Sequence, residues 1–132
     1  MRDIGEYAFE VTTLRSQDDA IARVTALLAE QGFGVLTEID VQATLQKKLG
    51  LETRPYRILG ACNPPFAHRV LAAVPHVGVL LPGNVVVWDE GDHRVVAAME
   101  PRVMGRILDH PEVKAVADEV SARLRKVLAA ID

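Results

Sequence analysis

One cysteine in 132 residues, Cys62, leaves no partner for an internal disulfide, so a reducing compartment is the natural setting for this chain. No apolar run approaches the length that spans a membrane. The first residues, Met1-Arg2-Asp3-Ile4-Gly5-Glu6, lack the apolar centre of a secretion signal. Positive charge is not in excess. Lys and Arg number 15 against 18 Asp and Glu, and a formal net charge of -3 argues against a broad nucleic-acid footprint. Glycine-rich phosphate loops, CxxC pairs, HExxH helices and GxSxG elbows are all missing. So are internal repeats, linkers and low-complexity segments. These absences predict a soluble cytoplasmic protein with neither membrane nor nucleic acid as a partner, and they assign no catalytic centre.

What is present is an ordinary globular balance, 49% hydrophobic and 25% charged, in a length that fits one domain over 1–132. Tyr7, Phe9 and Val11 alternate, which predicts a half-buried strand over 7–12. Ser16 followed by Asp18 and Asp19 reads as a helix start, Ile21, Val24, Leu27 and Leu28 as its buried stripe, and Gly32 as its stop. A strand over 34–39 and a short helix over 41–49 follow, the helix set between the cap Asp40 and Gly50. Arg54-Pro55 breaks the chain before a third strand over 56–61. Asn63 as N-cap and Pro64 at the first helical position then open a helix over 64–73. Three β-rich runs, 77–81, 85–88 and 94–98, predict an antiparallel meander, with a type II turn centred on Pro82-Gly83. A short helical piece lies within 101–108. His110-Pro111-Glu112 opens the last helix, striped by Val113, Val116, Val120, Leu124, Val127, Leu128 and Ile131. The predicted class is α+β, a mostly antiparallel sheet with the first and last helices packed on one face.

The chemical lead is the joint between the third strand and its helix. Cys62 sits where backbone N–H groups at a helix start favour negative charge, an arrangement that eases ionisation of a thiol. The plainer reading is a small buried core residue, since free cysteine is among the most buried residue types. His68 lies on the same helix, six residues on. It is either a base or ligand for Cys62 or a surface histidine beside Arg69. Glu38 and Asp40, two apart on a strand, share a face if the strand is regular. Asp40 is explained as a helix cap, which leaves Glu38 as the better carboxylate candidate. Asn84 either belongs to a turn or projects its amide into a site near Cys62. The candidate ligand-binding set is therefore Glu38, Cys62, Asn63, His68 and Asn84, suited to a small ligand or a soft metal. Two rivals stand beside this binding role: a thiol-dependent enzyme using Cys62, and a protein-interaction module with no small-molecule site. The Arg123-Leu124-Arg125-Lys126 cluster reads as the polar face of the last helix.

Three blocks carry a resemblance. They are Val35-Leu36-Thr37-Glu38-Ile39-Asp40-Val41, Arg54-Pro55-Tyr56-Arg57-Ile58-Leu59-Gly60-Ala61-Cys62-Asn63-Pro64-Pro65, and Leu80-Leu81-Pro82 with Asn84-Val85-Val86-Val87. In this order and spacing the chain resembles the domain of unknown function 302 family over nearly its whole length. The resemblance implies a TBP-like α+β fold, a curved antiparallel sheet with helices packed on it, and a homodimer. It implies no catalytic residue. Many relatives carry cysteine where this chain has Gly83, so a redox pair or metal clamp built from two cysteines is half missing here.

Overall fold

The computed structural model describes residues 1–132. Six strands form one sheet: β1 (Arg2–Ile4), β2 (Ala8–Thr13), β3 (Gly34–Asp40), β4 (Tyr56–Cys62), β5 (Gly83–Asp89) and β6 (Arg94–Met99). Their spatial order is β1-β2-β6-β5-β4-β3, and every neighbouring pair is antiparallel. The helices are α1 (Gln17–Glu30), α2 (Val41–Leu49), α3 (Pro64–Ala73), α4 (Arg102–Leu108) and α5 (Pro111–Ala129). The protein is thus α+β, as its sequence predicts.

The predicted start signals act as local physics requires. Ser16 Oγ accepts from the Asp19 N–H at 3.1 Å and caps α1. Asp40 Oδ1 accepts from the Ala43 N–H at 2.9 Å and caps α2. His110 adds an unforeseen cap, its Nδ1 accepting from the Glu112 N–H at 3.1 Å to open α5.

Strand alternation divides the sheet into two faces. Phe9, Leu59, Ala61, Val85, Val87, Val96 and Ala98 point to one of them. There they pack with Ala20, Val24, Leu27 and Leu28 of α1 and with Leu124, Val127 and Leu128 of α5. This main cluster explains why the first and last helices share a face: each presents a single apolar stripe that only the sheet can bury. A smaller cluster lies beyond the sheet's end, made of Val70, Val77, Met104, Val113 and Val116. The first half of α5 belongs to the small cluster and the second half to the main one. On the opposite face Tyr56 and Trp88 stack with ring centroids 5.6 Å apart, and Ile39 is 48% exposed.

Three local expectations fail. Residues 77–81 are not a strand. Pro75–Leu80 forms a 3-10 helix, with Val77 buried in the small cluster. The meander therefore keeps only its last two members, the β5–β6 hairpin. Nor does Pro82-Gly83 make a type II turn, which needs positive φ at the glycine. Gly83 has ordinary φ and begins β5, and the Leu81–Pro82 peptide is cis. The third failure is the missed β1, a three-residue edge strand too short and polar to show a pattern. No helix is long and apolar enough to cross a membrane.

Candidate functional site

The joint after β4 opens onto a cavity of about 340 Å³. Ala61 and Cys62 supply its sheet side, with Leu36 and Thr37 of β3 and Pro82 and Gly83 before and within β5. Helix α3 contributes Phe66, Ala67, Val70 and Leu71, spaced so that one helical stripe faces inward. Across from it stand Val113, Val116, Ala117, Val120 and Leu124 of α5, and Met104 of α4 closes the far side. Of 22 lining residues 16 are hydrophobic and none is charged. The polar groups on the wall are the Cys62 thiol, the Asn63 amide and the Thr37 hydroxyl. Two methionines, Met99 and Met104, give the wall side chains that adapt to irregular shapes.

Asn63 occupies the N-cap position of α3 without capping it. Pro64 and Pro65 remove two of the N–H donors that a cap would serve, so the side chain is free to turn elsewhere. It is 93% buried, being 7% exposed, and its Nδ2 donates to the Gln31 carbonyl at the end of α1, 3.3 Å away. Arg123 Nη1 donates to the same carbonyl at 3.1 Å. Because only the amide nitrogen can donate to a carbonyl, this bond also fixes which way the amide points. Asn63 Oδ1 accepts no hydrogen bond from the protein.

The other predicted site residues lie elsewhere. Glu38 is exposed and pairs with Arg57, as does Asp40 at 3.3 Å. The hydrogen bond from Arg57 to Glu38, and then the nearby carboxylate charges, hold the guanidinium above its ordinary value. This ion cluster is on the helix-side face of β4, away from the cavity wall. His68 is exposed on α3, off the stripe of Phe66, Ala67, Val70 and Leu71, and does not line the cavity. Asn84 is exposed opposite Gly60 on the other sheet face. Cys62 and Asn63 are thus the two members of the set that meet at one site. No three His, Cys, Asp or Glu side chains gather in a group able to hold a metal ion.

Gly60 shapes the mouth. A Cβ there would lie 2.8 Å from Pro82 Cγ and closer still to the Thr37 hydroxyl, so β3 and the start of β5 approach over a bare glycine. Gly83 is different: a Cβ at that position meets only the Ala61 carbonyl, at 3.9 Å. It would project on the face of Ala61, not that of Cys62, because the two cross-strand partners share a face. A second cysteine at 83 and Cys62 would therefore leave the sheet on opposite sides.

A polar network around the buried Glu100 joins α5 to the first strands. Glu100, 6% exposed, accepts from Arg125 Nη2 at 3.0 Å and from Ser121 Oγ at 3.1 Å. Arg125 also binds Asp3 at 2.8 Å and lies over the Phe9 ring at 4.4 Å, fastening α5 to β1 and β2. Burial pushes the Glu100 carboxyl up, but hydrogen bonds from Arg125, Ser121 and the Arg102 amide together outweigh it and hold it below the usual carboxylate range.

The architecture defines an α+β protein with helices on one face of an open antiparallel sheet and an apolar cavity at the sheet's end. The chain belongs to the family described as Domain of unknown function DUF302, whose model matches residues 9–131. It is similar to the crystal structure of an uncharacterized conserved protein DUF302 from Bacillus stearothermophilus. The two share 31% identity at a TM-score of 0.87, over 95% of this chain and 98% of the other. No match was found among curated proteins.

Proposed function

We propose that the protein binds a small apolar ligand in the cavity beside Cys62 and Asn63. The observation that carries this reading is a wall of 22 residues with no charge and 16 hydrophobic members around about 340 Å³. That volume falls at the lower end of the range of about 300–1,000 Å³ typical of small-molecule sites. A cavity without a metal-holding cluster favours an apolar ligand over a soft metal. The thiol-enzyme reading requires a base beside Cys62, and the exposed His68 lies outside the wall.

Binding is tested with N-phenyl-1-naphthylamine, a neutral dye whose emission rises in apolar surroundings. Ala117, 1% exposed, faces the cavity from α5. The variant Ala117→Leu fills part of the space and is expected to weaken dye binding about tenfold or more while the circular dichroism spectrum stays native. Unchanged dye binding by a folded variant would overturn the reading.

Self-association is a second reading, favoured by the free edge of β3. Seven residues there lack an outer partner, and Leu36 is 67% exposed. Such an edge is a template for pairing with another strand.

A further inference from the structure

We propose that the ligand is a neutral amphiphile, an apolar body ending in one uncharged hydrogen-bonding head such as a hydroxyl or a primary amide, and that Asn63 binds the head. This rests on the binding role proposed above and adds the chemistry of the ligand.

Two observations carry it. The first is the pairing of every cation near the site. Arg123 is held by the Gln31 carbonyl and by Glu119, and Arg69 by Glu112. Neither lines the cavity. A carboxylate or phosphate head would enter without a counter-charge and lose its hydration, which strongly disfavours it.

The second is the state of Asn63. One Nδ2 proton is committed to Gln31, whereas the other proton and Oδ1 have no protein partner. The residue is nevertheless 93% buried, being 7% exposed, and on the wall. A pure hydrocarbon filling the cavity would strip water from these groups and return nothing. A hydroxyl or a primary amide on the ligand can donate to Oδ1, the atom of Asn63 that no protein group reaches. The Cys62 thiol beside it is a weak donor and acceptor, compatible with either head.

The experiment is displacement of bound N-phenyl-1-naphthylamine by 1-octanol, octanamide and octanoate, on wild-type protein and on Asn63→Leu. At neutral pH octanol and octanamide are expected to compete at least tenfold better than octanoate. Lowering the pH towards the carboxyl pKa of octanoic acid should narrow that gap in the wild type, a readout that needs no variant. In an Asn63→Leu protein with a native circular dichroism spectrum, the ratio of octanol affinity to dye affinity is expected to fall about tenfold. The Gln31 carbonyl keeps Arg123 as its partner in that variant. Octanoate competing as well as octanol at neutral pH would overturn the neutral-head assignment while leaving the cavity as a binding site. An unchanged ratio in a folded Asn63→Leu protein would overturn the role of Asn63. Failure of the dye to bind wild-type protein would overturn the binding role itself and this inference with it.

Discussion

At the scale of single residues, the groups that matter most are those with no freedom to be otherwise. Glu100 is one. It is buried, and its carboxylate is held by Arg125, Ser121 and the Arg102 amide. Replacing it with Gln weakens a charge-assisted bond in a buried place, so Glu100→Gln is expected to cost about 1–3 kcal/mol in urea unfolding. The carboxyl is held below its ordinary value of 4.5 in the folded protein. The stability it contributes is therefore complete above that value, and it drains away as pH falls from there through the lower folded value. Glu100→Gln should lose less stability than the wild type across that interval. Gly60 is another such residue, and Gly60→Ala should cost about 1–3 kcal/mol by forcing Thr37 and Pro82 apart. Thermal melts would measure it, and an unchanged melting temperature would show that the mouth yields freely. The Cys62-Asn63 joint was legible because a strand pattern met helix-start residues at one point. Of the two readings open for His68, the exposed position agrees with a surface histidine beside Arg69, and helical phase accounts for it. Counting i, i+3, i+4 and i+7 from Asn63 reaches Phe66, Ala67 and Val70, and passes His68 by. The placement of Glu38 and Asn84 depends instead on strand partners distant in sequence, Leu59 and Gly60.

At the scale of elements, α5 is the member on which both apolar clusters depend. Its stripe was evident in the sequence, but the division of that stripe between two clusters was not. The division depends on where the sheet ends, and that is set by pairings far apart in the chain. The same cause hid the 3-10 helix. The valines of 75–80 favour a strand locally, and packing of Val77 against Val70, Met104 and Val113 overrides them. The small cluster contains five buried residues, and apart from α5 it is built from α3, the 3-10 helix and α4, which are short and lack sheet hydrogen bonds. Amides of α3 and α4 are therefore expected to exchange with deuterium well before those of β4, β5 and β6. A cavity ligand that touches both sides should slow the first group and leave the second unchanged. Uniform exchange across the molecule would show that the two clusters open as one.

For the whole molecule, the sheet has two ends and two edges with different characters. The β1 edge is short and charged, carrying Arg2 and Asp3. The β3 edge is longer and presents Leu36 and Ile39, although a bulge between Val35 and Thr37 interrupts it. Bulges and charges blunt strand pairing, so association is expected along the part after the bulge. Sedimentation velocity should show a dimer in the wild type and a monomer in Ile39→Lys. A monomer in both would remove the second reading. Since Thr37, just after the bulge, also lines the cavity, pairing along this part of β3 would narrow its mouth, and ligand and dimer would then affect one another's affinity.

The stacked pair on the open face gives the molecule an optical asymmetry. Trp88 is the one tryptophan, and it partners Tyr56 at the far end of the β4–β5 ladder from Gly83 and Ala61. Five steps along the strand separate it from Gly83 at the cavity, about 17 Å at the usual rise. Its indole N–H donates to Glu90 at 2.6 Å, not to any group of the site. Its native emission is thus a reporter of the uncovered sheet face, indifferent to an aliphatic ligand in the cavity and responsive to anything that settles over the strands.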